Sequence, residues 1–360
     1  MMEKKRVLLD LRNLKNPTNG FGQIAINYAN HFSKMDLPDI QFVFLVPEKC
    51  EMDFGKLVEV VKFDKQMKHD EQLLPKVDLW HSVNQFQTIQ RIDDDTKFVF
   101  TIHDLNFLRE KNWLSQIKHK LRLNRRIKKA DAVTAISGFV SKEIKEHLNM
   151  RGKTPVVIYD PVEHIDKKTQ RKPEFVNDDK PFFFAIGQIR MKKNFHLLLD
   201  VMKDFPDHNL YICGDSHFHA GELIKSRIEK ENIGNVKLPG KISDEERIWL
   251  YAHCEAFLFP SQGEGFGLPA IEAMQFGKAV FVAPFTSLPE ITGGHAIVWK
   301  DITTKTMVES IRKNLPHFYD DPQRIENMKE YAHSFDYGQH IQKYLELYRK
   351  LLGQTPLDND

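Results

Sequence analysis

The stretch Pro260–Met274, PSQGEGFGLPAIEAM, brings glycines, two carboxylates and a proline together at spacings that can do chemistry. It follows the apolar run AFLFPS, and Pro269 suits the first turn of a helix, where its missing N–H costs nothing. Gly265 and Gly267 let backbone come close to a ligand, and a helix N-terminus with free N–H groups is an anion site, most often for phosphate. Glu264 and Glu272 would repel a phosphate but accept hydrogen bonds from hydroxyls. A nucleotide sugar meets both demands, because hydroxyls flank its diphosphate on the sugar side and on the ribose side.

A second stretch, GQIRMKKN at 187–194, follows the run PFFFAIG and supplies Arg190, Lys192 and Lys193. Cations at a strand's carboxyl end can neutralise the charge that builds up on a departing diphosphate. Three weaker signals accompany these two. Gly20 and Gly22 precede a helix expected from about Gln23, and so resemble a second close-approach turn. His103 and Asp104 end the run KFVFTIH. KHKLRLNRRIKK, 118–129, holds seven Lys or Arg and no acid, with Leu114, Ile117, Leu121 and Ile127 as its apolar period. Such a helix suits an anionic membrane surface, and equally a core helix with a solvated basic face.

What must position these residues is legible in the apolar runs. RVLLDLR (6–12), QFVFLV (41–46), LVEVVKF (57–63), VDLWHSV (77–83), KFVFTIH (97–103), AVTAIS (132–137) and VVIYDPV (156–162) alternate with helix-period segments. PFFFAIG (181–187), NLYICG (209–214), NVKLPG (235–240), AFLFPS (256–261), AVFVAP (279–284) and HAIVW (295–299) repeat the theme. Near-continuous apolar strands alternating with helices predict parallel sheets covered on both faces, in an α/β fold. Two series predict two doubly wound domains, 1–165 and 175–335, joined through the polar stretch 163–180. A helical tail at 336–352 is expected to cross back to the first domain.

The 360 residues hold 52 Lys+Arg against 50 Asp+Glu, a net charge of +2 that argues against a dedicated nucleic-acid binder. Three scattered cysteines give neither a disulfide framework nor a metal spacing. The triplet Asp93–Asp95 matches an Asp-x-Asp metal pattern but precedes a strand instead of following one, so no metal is expected. The N-terminus lacks an apolar stretch of signal-peptide length, and no run has the length of a spanning helix. The expected location is cytoplasmic, with peripheral contact at the cytoplasmic face of a membrane.

EGFGLPAIE resembles the Glu-x7-Glu signature of retaining GT-B glycosyltransferases, particularly family 4, and roughly residues 5–350 fit that pattern. The resemblance implies two Rossmann-like domains facing each other across a cleft. It implies that Glu264 contacts the donor sugar, Glu272 the ribose, and the amides around Phe266–Leu268 the diphosphate. The loop 187–194 resembles the family's basic loop, with Lys193 on the family's Lys and Gln188 where an Arg is usual; Arg190 or Lys192 would then supply the second charge. TIHDL resembles the family's His-Asp-Leu motif, which implies that His103 lies against donor sugar or acceptor. Gly20 and Gly22 resemble its N-terminal glycine loop, and Ser137 a recurrent position that helix capping also explains.

The function expected is transfer of a hexose, mannose from GDP-mannose in first place, to a saccharide or lipid-linked saccharide in polysaccharide or lipopolysaccharide assembly. No cofactor is expected beyond the nucleotide-sugar donor. Alternatives of the same fold are a UDP-hexose transferase, a nucleotide-sugar epimerase, and a binding subunit without turnover; Gln188 favours the last.

Overall fold

A strand covered on both faces has no polar side, so its sequence is apolar throughout. The computed structural model describes residues 3–16, 20–68, 70–86 and 95–354. The chain falls into two units: one holds the described residues up to Tyr159 and those from Tyr337 onward, the other Asp160–Asp336.

In the first unit, β1 (Lys5–Asp10), β2 (Ile40–Val46), β3 (Glu59–Lys62), β4 (Leu79–Ser82), β5 (Lys97–Ile102), β6 (Ala132–Ala135) and β7 (Val156–Val157) form one sheet. Its order is β3-β2-β1-β4-β5-β6-β7, parallel throughout. With it go α1 (Gly20–Phe32), α2 (Phe107–Glu110), α3 (Trp113–Lys129) and α4 (Gly138–His147). In the second unit, β8 (Phe182–Ile186), β9 (Asn209–Cys213), β10 (Val236–Gly240), β11 (Ala256–Phe259), β12 (Ala279–Val282) and β13 (Ile297–Val298) pair in the order β10-β9-β8-β11-β12-β13, again parallel. Its helices are α5 (Leu198–Met202), α6 (His219–Lys230), α7 (Asp244–His253), α8 (Leu268–Gln275), α9 (Leu288–Ile291), α10 (Thr304–Asn314) and α11 (Pro322–His333). Both units are doubly wound and Rossmann-like. Each order reverses beside its first strand, between β1 and β4 and between β8 and β11, and ligands of open parallel sheets bind beyond the strand ends at such points.

The chain changes unit at Tyr159, ahead of the expected linker. The strand expected over 156–162 therefore stops at Val157, and Pro161 has no N–H with which to extend it. The polar stretch 163–180 belongs to the second unit, where Arg171 N–H donates to Glu245 O (3.1 Å) and Lys237 Nζ to Phe175 O (2.8 Å).

α12 (Tyr337–Leu352) completes the first unit. Ile341, Tyr344, Leu345 and Tyr348 join Val7, Leu9, Phe42 and Phe44 in one core. A buried polar network ties the helix to the sheet: His81 pairs through Nδ1 with Tyr348 Oη (2.6 Å) and through Nε2 with Thr101 Oγ1 (2.7 Å). Burial holds the His81 imidazole well below its ordinary pKa, so it sits neutral between these hydroxyls. At the far end Arg349 donates from Nε to Asp39 (2.7 Å) and from Nη2 (3.2 Å), and this hydrogen bonding holds the Asp39 carboxyl below its usual range.

Candidate active site

The two loops singled out in the second half of the sequence follow β8 and β11, the strands that flank the reversal of the second sheet. Sheet topology therefore brings together segments some seventy residues apart, and hydrogen bonds lace them. Gln262 N–H donates to Lys192 O (2.9 Å), Asn194 Nδ2 to Pro260 O (3.0 Å), and Lys193 Nζ to Glu264 Oε1 (2.5 Å). The Lys193 and Glu264 side chains are only 12% and 13% exposed, and Lys193 Nζ also lies 4.9 Å from the Phe259 ring centre. An ion pair this sheltered is costly to desolvate and is exchanged readily for better partners. A sugar hydroxyl could engage the carboxylate while a phosphate takes the ammonium.

Glu264 is held from behind. Its N–H donates to Thr286 Oγ1 (3.3 Å), and Ser287 Oγ donates to Phe266 O (2.6 Å) and Glu264 O (3.2 Å). Thr286 has φ +58°, a conformation that a β-branched residue rarely adopts, which marks this support as strained. Gly267 has φ +117° and caps α8, whose first turn begins at Leu268 with Pro269 next. A side chain at Gly267 would meet Leu288 Cδ2 at 2.6 Å. The first turn of α8 is the end at which a helix presents N–H groups, chemistry that suits an anion.

Glu272, on α8, meets two residues that the sequence did not single out. Arg247 Nη1 donates to its Oε1 (2.7 Å) and Tyr251 Oη to its Oε2 (2.8 Å), both from α7. The charge of Glu272 pushes the Arg247 pKa up, while burial first and Glu272 second do the same for Tyr251. A carboxylate oxygen has further lone pairs, so this clamp orients Glu272 and still leaves it able to accept from a ribose hydroxyl. We expect Arg247→Ala to weaken nucleotide affinity about tenfold, the size of one charge-assisted hydrogen bond. Calorimetric titration with GDP and UDP checks this, and unchanged affinity for both would detach Arg247 from the site.

Arg190 lies with its guanidinium 4.3 Å from the Phe218 ring centre, and its Nε is buried with no hydrogen-bond partner among the described residues. Gln188, in the place of the expected Arg, is exposed.

In the first unit, His103 is 5% exposed and donates from Nε2 to Val83 O (2.8 Å), which leaves Nδ1 as the accepting nitrogen. Its ring packs edge-on against Phe21 (5.1 Å between centres). Helix α1 begins at Gly20 instead of near Gln23, so Gly20 and Gly22 sit inside its first turn. Ser137 caps α4, accepting from Val140 N–H (3.1 Å). Asp93 and Asp94 lie outside the described residues, and no group of three potential metal ligands occurs among the described ones.

Residues 47–164 match the family described as Glycosyltransferase Family 4, and residues 166–335 match Glycosyl transferases group 1. The chain is 27% identical over 280 residues to the serotype-specific mannosyltransferase WbdA of Escherichia coli, a match covering 70% of this chain and 33% of that protein. It thus spans about a third of the length of WbdA. It is 26% identical over 240 residues to the O-antigen chain mannosyltransferase RfbU of Salmonella typhimurium, covering 66% and 65%. The sucrose-phosphate synthase of Thermosynechococcus elongatus superposes with a TM-score of 0.72 at 16% identity, over 97% of this chain and 98% of that one. Anabaena HepE, solved in complex with UDP-glucose, does so with a TM-score of 0.68 at 16% identity, over 96% and 100%. At such identities these two likenesses are of fold.

Proposed function

The chain belongs to the family 4 glycosyltransferases of GT-B fold, and we propose that it moves a hexose, mannose from GDP-mannose in first place, to a saccharide or lipid-linked saccharide acceptor with retention at the anomeric carbon. The observation that carries this reading is the sheltered Lys193–Glu264 pair at the reversal of the second sheet. Lys193 stabilises the departing diphosphate, Arg190 supplies the second cation, and Glu264 accepts from donor-sugar hydroxyls. Glu272 takes the ribose, and the Gly265–Leu268 backbone takes the diphosphate, with Lys192 at its edge. His103 acts in catalysis against donor sugar or acceptor, and Gly20 and Gly22 bind the donor. No protein nucleophile and no metal is invoked: the departing diphosphate oxygen takes the acceptor proton as the new bond forms.

The mannosyl choice draws on WbdA and RfbU, and the name of RfbU also points to O-antigen assembly. UDP-hexose is the second reading, favoured by the UDP-glucose complex of HepE. A donor panel tests both: GDP-mannose should release GDP in the presence of a mannan or lipid-linked acceptor. Release from UDP-glucose alone would move the donor, and release from no donor would leave a binding subunit.

We place the protein on an anionic membrane surface through α3. No helix among the described residues is long and apolar enough to cross a membrane. The outward side of α3 carries Trp113 (67% exposed), Leu114, Ile117 and Leu121, followed by exposed Lys118, Arg125, Lys128 and Lys129. Of the expected apolar period, Leu114, Ile117 and Leu121 thus lie outward, while Ile127 is buried together with Leu123. Each cation near such a surface contributes roughly 1 kcal/mol. Replacing Arg125, Lys128 and Lys129 with Ser should lower flotation with phosphatidylglycerol vesicles at low salt, and Trp113→Ser should lower it at any salt. Parental flotation by both variants would return α3 to an ordinary surface helix.

A further inference from the structure

Arg122 and Arg126 lie on the side of α3 turned toward the first sheet, one helical turn apart. Arg122 Cζ stands 5.7 Å from the Phe86 ring centre, just past β4, and Arg126 Cζ 5.5 Å from that of Phe100 on β5. Neither guanidinium has a carboxylate partner among the described residues, and Arg122 Nε is fully buried without any hydrogen bond. Burial lowers the pKa of both, that of Arg126 to about 10, with Arg122 adding to the effect. The opposing charge that bears on Arg126 is Asp10, at the end of β1. Asp10 is already gripped by Arg12, through Nε (2.7 Å) and Nη2 (2.6 Å). Among the described residues, Arg122 and Arg126 are thus left without a carboxylate of their own in a partly buried place.

A second unmet donor lies two residues before Phe86. Asn84, 1% exposed, accepts from Phe86 N–H through Oδ1 (2.9 Å), while its Nδ2 is buried without a partner among the described residues. Buried charges and amides that remain unpaired are expensive, and a chain retains them where a ligand completes them. Asp10 ends β1, Arg12 follows it and Asn84 follows β4, the strands at the reversal of the first sheet, where ligands of such sheets bind.

We propose that Arg122 and Arg126, with the Asn84 carboxamide, form a phosphate-binding site at the reversal of the first sheet. Several acceptor oxygens and about two negative charges are what a phosphate monoester or diphosphate offers. On the transferase reading of the preceding section, that phosphate belongs to the acceptor; the site itself does not depend on that reading.

The test uses the full chain and inorganic pyrophosphate as probe, in a Lys193→Ala background that weakens the diphosphate site of the second unit. Calorimetry should find pyrophosphate binding that falls at least tenfold when Arg122→Gln and Arg126→Gln are added. The melting temperature of this triple variant without pyrophosphate should equal or exceed that of Lys193→Ala, because two unpaired desolvated charges are gone. Unchanged affinity, or a lowered melting temperature without loss of binding, would make these guanidiniums structural and overturn the site. Phosphatidylglycerol vesicles separate the two sources of phosphate. Flotation should be unaffected by the Arg122/Arg126 double variant; loss of flotation together with loss of pyrophosphate binding assigns the same site to a lipid headgroup. Loss of flotation with pyrophosphate binding intact overturns it. A parental protein that binds pyrophosphate here but turns over no donor sinks the transferase reading alone.

Discussion

Lys193→Ala should lower sugar transfer on the order of 100-fold, with the loss mainly in kcat. The diphosphate gains charge as it departs, so a cation held against it lowers the barrier more than it aids ground-state binding. Glu264→Ala should be as damaging for transfer, and it should also destabilise the fold by up to about 3 kcal/mol, because it leaves a sheltered ammonium without its carboxylate. The double variant separates these effects. Removing both charges should restore most of the melting temperature while transfer stays lost, the pattern of a pair that matters for chemistry more than for the fold. Parental transfer rates in either single variant would sink the assignment. Arg190→Ala should be costly as well, since a guanidinium stacked on Phe218 with an unmet Nε is poised for phosphate oxygens, while Lys192→Ala should be nearly silent. If Arg190→Ala keeps the parental rate and Lys193→Ala fails, a single cation serves the diphosphate.

Gly214→Ala should cost about 3–5 kcal/mol in unfolding free energy and abolish transfer with it. Gly214 ends β9 at φ +127°, and a Cβ there would lie 2.0 Å from Gly187 O and 2.8 Å from its carbonyl carbon. Backbone cannot yield as a side chain can, so either the end of β8 moves or β9 does. Gly187 opens the loop that carries Arg190 and Lys193, which places the strain at the base of the cation site. Gly240→Ala is the matched control, with φ +84° and nothing within 4 Å of the added Cβ. It should cost only about 1–2 kcal/mol, the left-handed penalty by itself. Denaturant midpoints of the two variants decide the matter, and equal shifts would show that the close approach of the two glycines adds nothing.

The strands were legible because their apolar runs are short, bounded and continuous, and each observed strand except β7 falls within a residue or two of its run. Strand order was not, since no local pattern states which neighbour a parallel strand takes. The same gap hid the Lys193–Glu264 contact: both residues stood out by chemistry, but only the order β8-β11 makes them partners. Arg247 escaped because DEER, at the start of α7, reads as ordinary helix-end charge, and the capping box at Ser243 and Glu246 accounts for part of it. Its signal was the spacing Arg247–Tyr251, which puts both on one helical face, although nothing in the sequence says that this face meets Glu272. In α3 the expected apolar period joins residues of two different faces. Leu114, Ile117 and Leu121 form a regular stripe, but Ile127 is out of step with it, and the seam that packs is Leu123 and Ile127 with the two inner arginines.

The docking of α12 on the first sheet has a consequence for synthesis. The second unit is one continuous stretch and can close as soon as residue 336 has emerged. The first begins earlier yet lacks Tyr344, Leu345 and Tyr348 until α12 has emerged as well. During that interval His81, Thr101 and Thr134 have no hydroxyl from α12 to meet, and the apolar face beside them stays open. Of the two units, the one begun first is therefore completed second, and a stop codon before Tyr337 would spare the unit 160–336 while stranding the other.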